Sequence, residues 1–305
     1  MKFSATATAL FASAALAAPV AKRQAAITDT DILQYALTLE HLENVFYKRG
    51  VSTMSEQDFV SAGFSAAYYN NLKYITHDEE QHVELLTSAV AASGATPVAA
   101  CTYNFPYTDA KSFVGLASIL EGVGVSAYLG AAPDVSSKDY LTVAGAILVT
   151  ESIHQSVQRF NLGLVAPANA YGTPLGFNEV FTLAAAFIES CPSTNAALPV
   201  KAFPSLAATQ GIPTAPGISF TFTSSVVPSG TFFVTFISGL STMSMPATYS
   251  NCMIYTNIAP TAMGQSYAIL TNANVTSTIT DSMVIAGPAV LEVTPDSPIF
   301  DLSIL

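Results

Sequence analysis

The chain has 305 residues, half of them hydrophobic, with only 10 Lys+Arg and 21 Asp+Glu. So apolar a composition excludes an acidic disordered chain, and the length suggests two domains or one large one. A formal charge of -11 argues against a nucleic-acid binder, because no basic surface is legible to neutralise phosphates.

Residues 1–17 read as a secretory signal. Lys2 supplies the positive end, an apolar stretch follows, and Ala15-Leu16-Ala17 is an A-x-A cleavage site. Lys22-Arg23 is a dibasic pair at which a short pro-segment would be cut. Removing 1–23 takes Lys2, Lys22 and Arg23 and no acid, which moves the formal charge from -11 to -14. The expected product is acidic and secreted or extracellular, cell wall included, and it has no basic patch for anionic lipid.

Helical patterning covers residues 24–196. A segment at 31–49 follows the capping candidates Asp29 and Thr30 and stops at Gly50. A short helix at 56–61 comes next. A long one at 66–92 stops at Gly94, another at 110–130 stops before Pro133, and another at 138–162 stops at Gly163. A last helix at 176–190 stops before Pro192. Four long helices predict a bundle. The connection 93–109 is long enough, at roughly 3.3 Å per extended residue, to run the length of a bundle. The connection 131–137 is short and makes its helices antiparallel neighbours. Two helix hairpins packed side by side result.

The helix at 110–130 lies in a run long and apolar enough to span a membrane. Glu121 would then sit in mid-bilayer, at a cost of about 2.5–3.5 kcal/mol. A buried bundle helix is the better reading, with no transmembrane segment.

Pro199, Pro204, Pro213 and Pro216 mark 197–216 as a linker. Residues 217–305 alternate in short runs such as Ile218-Ser219-Phe220-Thr221-Phe222, separated by turn signals. They predict a small sandwich of about seven strands. This stretch has no His, Lys or Arg, which argues against metal or phosphate chemistry there. The fold class is α+β in two domains, and the β domain is a candidate for cell-wall attachment or homo-oligomer contact.

Secretion permits disulfides. Cys101 and Cys191 both lie in loops with Pro nearby and are expected to pair, leaving Cys252 as a buried free thiol in a strand. Asn274-Val275-Thr276 is a glycosylation sequon.

The chemistry lies in two Glu-x-x-His pairs, Glu79/His82 and Glu151/His154. Residues three apart share a helix face, so each pair can offer a carboxylate and an imidazole to one metal ion. With 11 Glu and four His in the chain, two such pairs are not expected by chance. Glu121 is the only charge between Lys111 and Asp134. A lone carboxylate in an apolar helix is costly unless a cation joins it. The first helix offers Glu40 and, one turn on, Glu43. An internal echo favours Glu40: Glu40 is followed at +7 by Tyr47, as Glu121 is by Tyr128. Each hairpin thus carries Glu-x6-Tyr and then Glu-x-x-His, as a duplicated hairpin would. Glu43, Tyr47 and Tyr128 are candidates for supporting the ligands. His41 and His77 read as surface residues, Glu80 and Glu84 as a solvated face, and Asp109 and Asp139 as helix starts. Gly122 and Gly124 suggest close helix packing.

One Glu from each of two helices with Glu-x-x-His from the other two resembles the ferritin-like di-metal carboxylate bundle. The segments Tyr35-Ala36-Leu37-Thr38-Leu39-Glu40-His41-Leu42-Glu43 and Cys191-Pro192-Ser193 resemble more narrowly the secreted fungal ferritin-like proteins of the late sexual development, stress-response and desiccation-related group. The resemblance covers about residues 28–205. It implies a ferritin-like four-helix bundle with extra helices, followed by the β-sandwich. Glu79 and Glu151 would bridge two metals, Glu40 and Glu121 would be terminal carboxylates, and His82 and His154 terminal imidazoles. Oxygen donors with imidazole suit two iron or manganese ions. The expected function is a di-iron or di-manganese protein, ferroxidase-like or manganese-catalase-like, with Fe(II), peroxide or another small oxidant as reactant. The competing expectation is a developmental or cell-wall scaffold without catalysis. Cage-type iron storage is disfavoured by the appended β residues.

Overall fold

Short polar side chains start each long helix. The computed structural model describes residues 27–211 and 213–298; the leader and its processing sites lie outside them. Thr28 caps α1 (Asp29–Thr53) in a capping box with Asp31, and Ser55 does the same with Asp58 for α2 (Glu56–Ser61). Ser65 caps α3 (Ala66–Ala92), Asp109 caps α4 (Ala110–Ala131), and Ser137 caps α5 (Lys138–Asn161). Asp109 is thus a helix-start residue, as expected, whereas Asp139 only occupies the first turn of its helix. α6 (Phe177–Ala185) is short.

α1 packs along α3, α4 packs along α5, and α1 meets α4. The result is a pair of hairpins joined by the long crossover. Three helix ends differ from expectation. α1 begins at Asp29, because Thr28 rather than Asp29 or Thr30 accepts from the Asp31 N–H. α1 runs through Gly50 rather than stopping there, because Gly50 is a packing residue: a Cβ would lie 2.1 Å from a ring carbon of Phe113. Phe113 stacks on Phe46 at 4.5 Å, so the first hairpin and α4 touch at that point. The last helix ends early, and Ile188–Ser190 forms a strand (β2) antiparallel to Thr102–Tyr103 (β1). The disulfide Cys101–Cys191 ties the ends of these strands. That constraint, distant in sequence, overrides the helical pattern.

The C-terminal region contains two four-stranded sheets. Its strands are β3 (Leu206–Ala208), β4 (Ser219–Ser224), β5 (Phe233–Ser238), β6 (Ser241–Pro246), β7 (Thr248–Ser250), β8 (Met253–Asn257), β9 (Gly264–Thr271) and β10 (Val284–Val293). The orders are β10-β9-β5-β6 and β3-β4-β8-β7, all antiparallel. Inward residues of both sheets, such as Phe220, Phe222, Ile254, Val234, Phe236 and Leu270, form one core. The Pro-rich stretch is not a free tether: it supplies β3, and Pro204 accepts from the Gly287 N–H. Cys252 corrects another expectation. It lies exposed in the turn before β8, with φ 61°, rather than buried in a strand. Asn274 is exposed in the β9–β10 connection.

The two regions are docked. The Tyr267 hydroxyl donates to the Gly122 carbonyl at 3.0 Å and lies 2.8 Å from Ser126 Oγ. Gln265 donates to the Ile119 carbonyl at 3.1 Å and accepts from Gln155 at 3.0 Å. Arg159 of α5 pairs with Glu292 of β10 through both guanidinium nitrogens, at 2.5 and 2.8 Å. The β region, which has no cation of its own, borrows one from the bundle. Gly122 permits the close approach, since a Cβ there would lie 2.3 Å from Gln265 Oε1. Ala110–Asp134 is long and apolar enough to cross a membrane, but 78% of its most apolar window is buried inside the protein. It is the core helix that both regions share.

Candidate metal centre

Helical register brings six side chains from four helices to one place. Glu40 comes from α1, Glu79 and His82 from α3, Glu121 from α4, and Glu151 and His154 from α5; all are buried. Their donor atoms form two overlapping quartets, Glu40-Glu79-His82-Glu151 and Glu79-Glu121-Glu151-His154. Within each quartet all donor atoms lie within 4.8 Å of one another. Glu79 and Glu151 belong to both.

The imidazoles face the carboxylates through Nδ1. His82 Nδ1 lies 3.2 Å from Glu40, 3.5 Å from Glu79 and 3.4 Å from Glu151. His154 Nδ1 lies 3.0 Å from Glu79 and 3.3 Å from Glu121. Both oxygens of Glu79 and of Glu151, Oε2 of Glu121 and Nδ1 of His154 are buried without a well-formed hydrogen bond. Unpartnered buried carboxylate oxygens are costly, and a cation between them removes that cost. The donor set fits hard or borderline divalent ions.

A surrounding shell holds the ends of the cluster. Tyr47 donates to Glu121 Oε1, and Tyr128 donates to Glu40 Oε1 at 2.5 Å. Each hairpin's Tyr therefore holds the other hairpin's carboxylate. Gln158 donates to the Tyr47 hydroxyl at 3.0 Å and accepts from Tyr68. Asp78 Oδ2 lies 3.3 Å from His154 Nε2, which orients the ring with Nδ1 toward the cluster. Asp78, Gln158 and Tyr68 were not foreseen. Their only sequence signal is position: Asp78 adjoins Glu79, and Gln158 lies one turn beyond His154.

Glu43 is buried beside the cluster but belongs to neither quartet. A Cβ on Gly124 would lie 2.3 Å from Glu151 Oε2 and 3.3 Å from Glu43 Oε1, so Gly124 makes the room for both carboxylates. His77 and Glu84 are exposed, and Glu80 pairs with Lys48 at 2.6 Å. His41 is half-buried, with Nε2 3.0 Å from the Val98 carbonyl, where it pins the crossover.

The electrostatics follow from burial. Burial and neighbouring carboxylates push Glu151 and Glu43 well above the usual carboxylate range. Burial raises Glu40 to about 7 despite its hydrogen bond to His82. Burial also opposes the Glu79 charge, but the two imidazoles override it and hold Glu79 at about 2. His154, which burial alone would depress, is raised to about 11 by Glu121 and Glu79; His82 is raised by Glu151, Glu40 and Glu79. Burial and the adjacent carboxylates push the Tyr47 and Tyr128 phenols well above their ordinary value. The raised imidazoles favour protonated His82 and His154 in the metal-free cluster, so metal binding there would be coupled to proton release.

A family model matches the helical region. Residues 28–164 match the family model described as Ferritin-like domain. The chain is 27% identical over 178 residues to Protein rds1 of Schizosaccharomyces pombe. That match covers 58% of this chain and 44% of the relative, so the chain spans less than half the relative's length. Among solved structures, a conserved hypothetical protein from Mycobacterium tuberculosis shows 19% identity and a TM-score of 0.38, over 47% of this chain and 96% of that one. The helical region is thus similar to ferritin-like domains over residues 28–164 and contains buried carboxylate–histidine clusters that could hold metal, and a two-sheet β region follows it.

Proposed function

We propose that this is a secreted di-metal carboxylate protein that binds two iron or manganese ions and reacts with Fe(II) or peroxide in stress or development. One observation carries the reading: Glu79 and Glu151 are shared by two donor quartets. Glu40 and His82 would complete one position, and Glu121 and His154 the other. Four carboxylates balance the charge of two divalent ions. Bound iron or manganese would supply the redox chemistry toward Fe(II) or peroxide.

The protein's own groups do the rest. Tyr47 and Tyr128 fix the terminal carboxylates, Asp78 fixes the His154 tautomer, and the apolar helices exclude water. The disulfide and the leader pattern support an extracellular setting. A purely structural role for the metals is favoured by the direct hydrogen bonds from Tyr267 and Gln265 to α4 beside Glu121. These would let the cluster brace both regions.

Metal analysis of the purified full chain tests the reading. Two Fe or Mn per chain are expected, and both are lost in the double variant Glu79→Ala/Glu151→Ala. A wild-type protein that takes up no metal, with unchanged thermal stability when metal is offered, would overturn it. Ferrous-oxidation and peroxide-disproportionation assays on the loaded protein then separate catalysis from a structural role.

A further inference from the structure

An apolar cavity of about 380 Å³ lies inside the bundle, one turn from the cluster. Its lining comes from all four long helices at the same end. Ala36 is four residues before Glu40, Leu86 four after His82, Tyr128 seven after Glu121, and Ala144 seven before Glu151. A four-residue step is about 6 Å along a helix, so the cavity is coaxial with the cluster. Tyr128 separates the two: its ring lines the cavity, while its hydroxyl holds Glu40.

We propose that this cavity binds an uncharged aliphatic chain, inserted between α3 and α5 with its inner end against Tyr128. Size supports this, since an apolar cavity of about 150 Å³ already holds benzene and small-molecule sites run from about 300 Å³ upward. The walls are aliphatic, from Ile32, Leu39 and Val143 among others. Leu85 both lines the cavity and is exposed to solvent, which makes it the point of entry in this proposal. Among the described residues, the only charged side chains in the lining are Asp29 and Asp139, both acidic. Asp29 is already engaged by the Ser136 and Ser137 N–H groups. No described lining residue would pair with an anionic head group, so an alcohol or hydrocarbon fits and a fatty carboxylate does not.

The chain contains no tryptophan, which makes a single introduced Trp a local reporter. Leu85→Trp at the mouth is expected to be quenched saturably by a terminally brominated dodecanol, while Val227→Trp, exposed in the β region, is not. Dodecanoate should compete at least about tenfold more weakly than dodecanol. Ala144→Phe, which fills the cavity, should abolish the quenching at Leu85→Trp with the melting temperature retained. No saturable quenching at Leu85→Trp, or equal quenching at Val227→Trp, would overturn the site. Equal competition by dodecanoate would overturn the head-group assignment. If Ala144→Phe does not fold, the two Trp reporters decide alone. The assay runs on the full chain with and without metal, so its failure leaves the di-metal reading standing, and failure of that reading leaves the cavity standing.

Discussion

The two helix hairpins carry the same pattern, Glu-x6-Tyr then Glu-x-x-His, but they are not equivalent. Three residues after Glu40 the first hairpin has Glu43; three residues after Glu121 the second has Gly124. The glycine leaves the space that Glu151 Oε2 and the Glu43 carboxylate approach. The shells differ too. Tyr47 sits in a chain with Gln158 and Tyr68, whereas Tyr128 faces the apolar cavity. The symmetric part supplies the candidate ligands, and the asymmetric part gives each end of the cluster its own surroundings: a hydrogen-bonded network at Glu121, an apolar chamber at Glu40.

The largest break in this comparison should come from Gly124→Ala. Its Cβ must displace the shared Glu151 carboxylate, so metal affinity should fall at both positions, and the well-packed site should lose about 1–3 kcal/mol of stability. Glu43→Gln, at the matching place in the other hairpin, should leave two metals bound. Metal titration with thermal melts of both variants checks this; equal effects would mean the hairpins are functionally symmetric.

A smaller effect is expected from the crossed tyrosines. Tyr47→Phe and Tyr128→Phe should each weaken metal binding by about 10–100-fold, as loss of a partner to a ligand usually does. Tyr47→Phe should be the worse of the two, because Gln158 also loses an acceptor. Competition with a chelator measures the difference.

A further effect is a pH dependence of opposite sign with and without metal. Glu40 is raised in the folded protein from 4.5 to about 7. The metal-free fold therefore holds more protons than the unfolded chain in that window and loses stability as pH rises through it. The raised His154 contributes stability that is full below 6.5 and is lost as pH rises toward about 11. Glu79 acts the other way, but only below 4.5, where its contribution is lost as pH falls toward about 2. Metal-free protein should thus melt at lower temperature as pH rises from 4.5 to about 7. Metal-loaded protein should gain stability over the same range, because its ligands must be deprotonated. Melts with chelator and with metal, across this range, test the reversal.

What could be read from the chain was local and periodic. The long helices and the six candidate ligands follow from spacing, and scarce charge made Glu121 and Glu151 conspicuous in their apolar helices; of the caps only Asp109 was legible, since Thr28 and Ser137 cap where Asp29, Thr30 and Asp139 were expected. Contacts between segments distant in sequence were not readable. The strand at Ile188–Ser190 depends on the Cys101–Cys191 tie and on β1. β3 forms in a Pro-rich stretch because β4 offers it an edge. Asp78 and Gln158 acquire their roles only when α3 and α5 face each other, and Cys252 is exposed because a turn, not a strand, carries it.

Sequence alone therefore determined which side chains share a helix face, since a three-residue step along a helix needs no partner. Tertiary structure decided everything that needs two helices at once. It set the sharing of Glu79 and Glu151, the crossing of Tyr47 and Tyr128, the room made by Gly124 and the apolar cavity beyond Tyr128. The docked β region belongs to the same class, because Arg159 and Glu292 can neutralise one another only after both domains have formed.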